Sequence, residues 1–147
     1  MIQSIVTICT GNICRSPVAE AVLRAALPDV TVSSAGLHAL VGRDIDKDSA
    51  SAAEAQGIVL HKHAARQFNS AIGSGADLIV VMETHHRQEI AARWPQVLGK
   101  TFLLGHFLNA REIPDPYKLG IGMHHQAVTL ITECCTAWQQ QLEKMKA

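Results

Sequence analysis

Near the start of the chain, Cys9-Thr10-Gly11-Asn12-Ile13-Cys14-Arg15-Ser16 brings a thiol, a second thiol and a guanidinium into one short segment. A segment of this length with Cys9 at one end and Arg15 at the other can wrap a single phosphate. Its backbone N–H groups turn inward and the guanidinium fork grips two oxygens. Gly11 and Asn12 suit such a curl, because glycine and asparagine adopt positive φ most readily. The positive field that holds an anion also favours a thiolate, so the same loop would activate Cys9 as a nucleophile.

An attacking thiolate supplies only half of a phosphoryl transfer. A departing phenolate or alkoxide needs a proton, and the phosphocysteine must afterwards be hydrolysed. Ile113-Pro114-Asp115-Pro116-Tyr117 offers the missing carboxyl group. The prolines on either side of Asp115 restrict the backbone and reduce the entropy lost in positioning it.

The elements flanking these residues have a readable pattern. Residues 2–8 (IQSIVTI) read as a short buried strand, and residues 17–27 (PVAEAVLRAAL) as a helix with Ser16 as its cap and Pro17 in its first position. Residues 30–34 form a second strand candidate, and residues 48–56 an Ala-rich helix closed by Gly57. The run DLIVVM at 77–82 is the strongest strand signal, since continuous apolar residues suit a parallel strand covered on both faces. A helix over 83–94 stopped by Pro95, a strand over 100–104 and a long amphipathic helix from about His124 complete the order. Alternating strands and helices predict an α/β domain spanning 1–147: a four-stranded parallel twisted sheet, doubly wound and flavodoxin-like, with helices on both faces. In such a sheet ligands bind beyond the carboxyl ends of the strands, which is where the Cys9–Ser16 loop and the Asp115 loop both fall.

Composition narrows the function classes. Lys plus Arg and Asp plus Glu number 13 each, so the chain offers no general attraction to nucleic acid or to an anionic membrane. No apolar stretch approaches the length of a membrane span, and the apolar start MIQSIVTI lacks the basic residues of a signal peptide. Together with four cysteines too few and too clustered for a disulfide framework, this points to a cytoplasmic protein.

The residues just described resemble the low-molecular-weight protein tyrosine phosphatases. The likeness rests on CTGNICRSPVAE, SAG (34–36), HAARQ (63–67) and the late DPY (115–117), in the family's order and spacing and over essentially the whole chain. AGLHALVG and GHFLNAREIPDPY resemble the bacterial branch, whose members act on tyrosine autokinases of capsule or exopolysaccharide export. The resemblance implies that Cys9 is the nucleophile, Arg15 the phosphate clamp, and Asp115 first the acid and then the base. It implies that Ser16 donates a hydrogen bond to the Cys9 sulfur, and that Asn12, left-handed, is tied to Ser16, Ser34 and His63. Tyr117 would line one wall of a phosphotyrosine slot. On the opposite wall, where eukaryotic members usually carry an aromatic residue, this chain has 37–41, including Leu40. Cys14 lies across the loop from Cys9, and family members that share it imply a redox role: trapping an oxidised Cys9 in a reversible disulfide.

Other residues carry plainer readings. His61, His63, His85 and His86 have no tetrahedral ligand spacing among themselves or with the cysteines, so neither a metal nor a cofactor is expected. His38, His106, His124 and His125 receive no role, Cys134 and Cys135 read as core packing, and the trio Asp44, Asp46, Asp48 reads as a solvated turn. Two competing functions remain in view. An arsenate reductase of the same fold needs further cysteines after the middle strand, yet none lies between Cys14 and Cys134. A phosphocysteine carrier or phosphotyrosine-binding module would need neither Ser16 nor Asp115.

Overall fold

Strand β1 (Ser4–Cys9) is the hub of the molecule: it pairs in parallel with β2 (Thr31–Gly36) on one side and β3 (Leu78–Val81) on the other, and β4 (Thr101–Leu103) extends the sheet beyond β3. The order is therefore β2-β1-β3-β4, all parallel, in a computed structural model that describes residues 1–146. The four-stranded doubly wound sheet expected from the sequence is the one found.

Side chains alternate across the sheet and build two cores. Ile5, Cys9, Leu78 and Val80 face α1 (Arg15–Ala26), α2 (Lys47–Ala55) and α5 (Ile121–Met145), where Leu23, Ala52, Ile131 and Trp138 meet them. Val6, Ile8, Ile79 and Val81 face the other way, onto Phe68, Ile90 of α4 (Thr84–Arg93) and Val97. All four residues of β3 are buried, as a continuous apolar run in a parallel strand requires. Among the described residues no helix is long and apolar enough to cross a membrane.

Several boundaries differ from the sequence reading. β1 starts at Ser4 and takes in Cys9, so the thiol sits on the last residue of a rigid strand. Helix α1 begins at Arg15 with Cys14 as its cap, and Ser16 lies inside the helix, its hydroxyl turned to other partners described below. Helix α5 starts at Ile121, directly after Gly120 at φ +96°. The reading also missed α3 (Ser70–Gly75) and a 3-10 turn over Pro95–Lys100, both too short to show a helical period. Cys134 and Cys135 are buried in the core, and burial pushes the Cys134 thiol up to about 11 and that of Cys135 higher still, as inert packing residues would be.

Candidate active site

The loop between β1 and α1 leaves the sheet at Cys9 and closes at Arg15, and its conformation is fixed from within. Asn12 takes φ +59°, the left-handed region that asparagine tolerates. Its side-chain amide donates to Ser16 Oγ at 2.8 Å and to Ser34 Oγ at 3.0 Å, and its Oδ1 accepts from the Arg66 backbone N–H at 2.9 Å. His63 Nε2 donates to the Asn12 carbonyl at 2.6 Å. Because Ser16 Oγ already accepts from Asn12, its hydroxyl proton is left for Cys9 Sγ, 2.9 Å away. Hydrogen bonds thus join the loop to Ser16, Ser34 and His63.

Residues 65–67 of the HAARQ segment strap a second loop against the first. Gln67 accepts from the Ala39 N–H and donates to the Leu37 carbonyl, while Gly42 N–H reaches the Ala65 carbonyl. Gly36, paired with Cys9 in the β1–β2 register, lies against the loop so closely that a Cβ there would stand 2.5 Å from the Thr10 carbonyl oxygen. Gly36→Ala is therefore expected to displace the loop. Phosphatase activity should fall, and stability should drop by about 1–3 kcal/mol, read as a lower thermal midpoint of a few degrees.

Arg15 is 2% exposed, and its guanidinium is divided between two tasks. Nη1 donates to Glu83 at 2.7 Å and to the Ile113 carbonyl at 2.7 Å. Nη2 stands 3.8 Å from Asp115 Oδ2, and the buried Nε has no hydrogen-bond partner among the described residues. The Nε–Nη2 edge is the one with donors to spare, and that edge presents the parallel pair of N–H groups a phosphate accepts. Burial pushes the Glu83 carboxyl up, but the hydrogen bond and charge of Arg15, joined by His85, outweigh it and hold that carboxyl below its ordinary range.

Glu83 went unnoticed in the sequence except as the start of a helix. Its position right after the strong DLIVVM strand was the available signal, since that places it on the same sheet edge as Cys9. His86 was missed as well. It is buried, and burial together with the charges of Arg15 and His85 pushes it down to about 3, so its ring is neutral. Nδ1 accepts from the Glu83 backbone N–H, which leaves Nε2 to donate to Thr10 Oγ1 at 3.0 Å.

A cavity of about 160 Å³ opens above the loop, lined by Cys9, Thr10, Gly11, Cys14, Arg15, His38, Leu40, Asp115 and Tyr117. Tyr117 packs on Ile13, Cys14 and Ala65, and Leu40 faces the cavity beside Gly11. Asp115 is half exposed at the rim, its Oδ1 accepting from the Tyr117 N–H at 3.1 Å. His38, given no role from sequence, belongs to this rim too and meets the Glu89 carboxylate at 2.9 Å. A larger hollow of about 560 Å³, between Pro114 and α5, contains neither Cys9 nor Arg15.

A thiol, a half-free guanidinium and a carboxyl group thus meet around one cavity, a grouping able to do phosphoryl transfer. Residues 4–147 match the family described as low molecular weight phosphotyrosine protein phosphatase. A putative low molecular weight protein-tyrosine-phosphatase of Klebsiella pneumoniae is 40% identical over 97% of this chain and 99% of its own. The crystal structure of the tyrosine phosphatase Wzb from Escherichia coli K30 with sulphate superposes with a TM-score of 0.94 at 40% identity, covering 97% of this chain and 99% of that one. The YwlE arginine phosphatase of Geobacillus stearothermophilus is more distant, at 28% identity and a TM-score of 0.91 over 98% of this chain and 95% of its own. With the family matched along nearly its whole length and its tyrosine-phosphatase relatives at 40% identity, the chain belongs to the low molecular weight protein-tyrosine phosphatases.

Proposed function

We propose that residues 1–147 act as one phosphatase domain in which Cys9 is the nucleophile, Arg15 the phosphate clamp and Asp115 the proton donor and acceptor. The Cys9 thiolate attacks phosphorus and the bond to the aryl oxygen breaks. The electron pair leaves with that oxygen, which takes a proton from Asp115. Water then attacks the phosphocysteine and gives its proton to Asp115. The P–S bond breaks, with the sulfur's developing charge received by the Ser16 hydroxyl 2.9 Å away. Backbone N–H groups of Thr10 to Arg15 and the start of α1 hold the phosphate oxygens. The observation that carries this reading is Arg15, whose Nη1 is anchored by Glu83 and Ile113 while Nε, beside the Cys9 loop, stays buried without a hydrogen-bond partner among the described residues.

Tyr117 and Leu40 flank the cavity and suit a flat aromatic ring carrying the phosphate at its far edge. Burying such a ring is worth about 1.5–3 kcal/mol, so kcat/KM on phosphotyrosine peptides should exceed that on phosphoserine peptides by about 10- to 150-fold. The test is hydrolysis of both peptides and of free phosphoarginine by the purified chain, with vanadate as inhibitor and no metal added. Equal efficiency on phosphoserine, or a preference for phosphoarginine, overturns the assignment of the slot.

The partner in this reading is a bacterial tyrosine autokinase of polysaccharide export, met in the cytoplasm. Support comes from the likeness of AGLHALVG and GHFLNAREIPDPY to that bacterial branch and from the relationship to Wzb. Cys14 is the proposed redox partner of Cys9. Peroxide should inactivate the enzyme through a Cys9–Cys14 disulfide that thiol reductants reverse and bound phosphate slows. Peptide mass mapping checks it, and the absence of a cross-linked peptide overturns it.

A further inference from the structure

Cys14 has a second set of neighbours that the phosphatase chemistry does not use. Its sulfur, a carboxylate oxygen of Asp46 and a ring nitrogen of His124 lie within 4.8 Å of one another. The three come from the start of α1, the cap of α2 and the first turn of α5. His124 is 1% exposed, and its buried Nε2, 3.6 Å from Asp46 Oδ2, has no hydrogen-bond partner among the described residues.

The hydrogen bond at the other ring nitrogen explains what Nε2 offers. Ser49 Oγ lies 2.8 Å from His124 Nδ1 and so holds one ring nitrogen from the side away from the thiol and the carboxylate. With Nδ1 held by Ser49, Nε2 is the ring atom left to take a further partner. An imidazole whose Nδ1 is held by an outer partner while Nε2 lies beside a thiol and a carboxylate has the arrangement of a metal-bound histidine. The other His and carboxylate cluster, Glu83 with His85 and His86, lacks this feature. There Glu83 is held by Arg15, and both His86 nitrogens are hydrogen-bonded.

We infer that Cys14, Asp46 and His124 form a binding site for a borderline-soft divalent cation of the Zn²⁺ class, with Ser49 as the outer partner of two ligands and water as the fourth ligand. Zn²⁺ accepts each of these ligand types and leaves a fourth position to water in open sites, whereas Mg²⁺ and Ca²⁺ take oxygen ligands. Tetrahedral coordination at ordinary bond lengths puts ligand atoms about 3.5 Å apart. The His124–Asp46 pair at 3.6 Å already meets this, and Cys14 Sγ closes by roughly 1 Å. On binding, the Cys14 S–H bond breaks, the sulfur–metal bond forms, and one proton passes to solvent. An ion there clamps the phosphate loop to α2 and α5, and it withdraws Cys14 from any disulfide with Cys9.

The test uses Co²⁺ as a spectroscopic probe on the intact chain under a non-chelating reductant, followed by displacement with Zn²⁺. One Co²⁺ per chain is expected, with a thiolate-to-cobalt charge-transfer band in the near ultraviolet and the intense visible bands of tetrahedral cobalt. Cys9→Ser should retain these bands. His124→Phe and Asp46→Asn should each weaken binding by at least about a hundredfold, and Ser49→Ala by about 10- to 100-fold, the loss typical of an outer partner. Asparagine keeps the cap oxygen that Asp46 gives to the Asp48 and Ser49 N–H groups, so Asp46→Asn decides the matter if His124→Phe does not fold. Absence of the bands from the parent chain, their persistence in Asp46→Asn, or their loss in Cys9→Ser overturns the inference, the last because the ion would then sit on the catalytic loop's other thiol.

Discussion

Cys9→Ser is expected to abolish turnover of aryl phosphates, by about 10⁴-fold or more, while phosphate and vanadate still bind. The loss follows from the chemistry of the step. A serine hydroxyl is far less acidic than a thiol, and the group hydrogen-bonded to the Cys9 sulfur, the Ser16 hydroxyl engaged by Asn12, is not a base. Binding survives because it depends on other groups: the loop N–H donors, the start of α1, and the Nε–Nη2 edge of Arg15, whose anchoring by Glu83 and Ile113 does not involve the sulfur. Steady-state hydrolysis and the quenching or calorimetric signal of phosphate binding measure the two halves separately. Appreciable turnover by the serine variant would end the covalent mechanism.

Asp115→Asn should slow hydrolysis by about 10²- to 10⁴-fold on substrates with poor leaving groups, the range a general acid contributes. The penalty should shrink as the leaving group becomes more acidic, because an already stable phenolate needs no proton. Asparagine preserves the hydrogen bond from the Tyr117 N–H and the backbone set by Pro114 and Pro116, so the loop stays in place and the change isolates proton transfer. Asp115 also stands 3.8 Å from Arg15 Nη2, so removing its charge leaves phosphate affinity intact or slightly improved. A series of aryl phosphates of graded phenol acidity gives the slope. If fast and slow leaving groups lose equally, Asp115 is not the acid.

The sequence by itself determined the sheet and pointed to the proposed reacting groups, because both are written in short stretches of chain. The buried run at 78–81 reads as a covered parallel strand whatever surrounds it. Cys9 and Arg15 are held together by the loop that joins them, and Asp115 is marked by its flanking prolines. What the tertiary structure decided lies between segments with no local relation. Glu83 reaches Arg15 only because β3 ends beside β1 in the sheet. His86 reaches Thr10 from the helix that follows. Ser16, read as a helix cap from its place before Pro17, is drawn away by Asn12 and Cys9, groups that face it only once the loop has curled. The meeting of Asp46 and His124 with Cys14 has the same origin. Their positions in sequence, far from each other and from Cys14, give no ligand spacing. The packing of α2 and α5 against the start of α1 brings their oxygen, nitrogen and sulfur within 4.8 Å and buries a ring nitrogen that has no hydrogen-bond partner among the described residues.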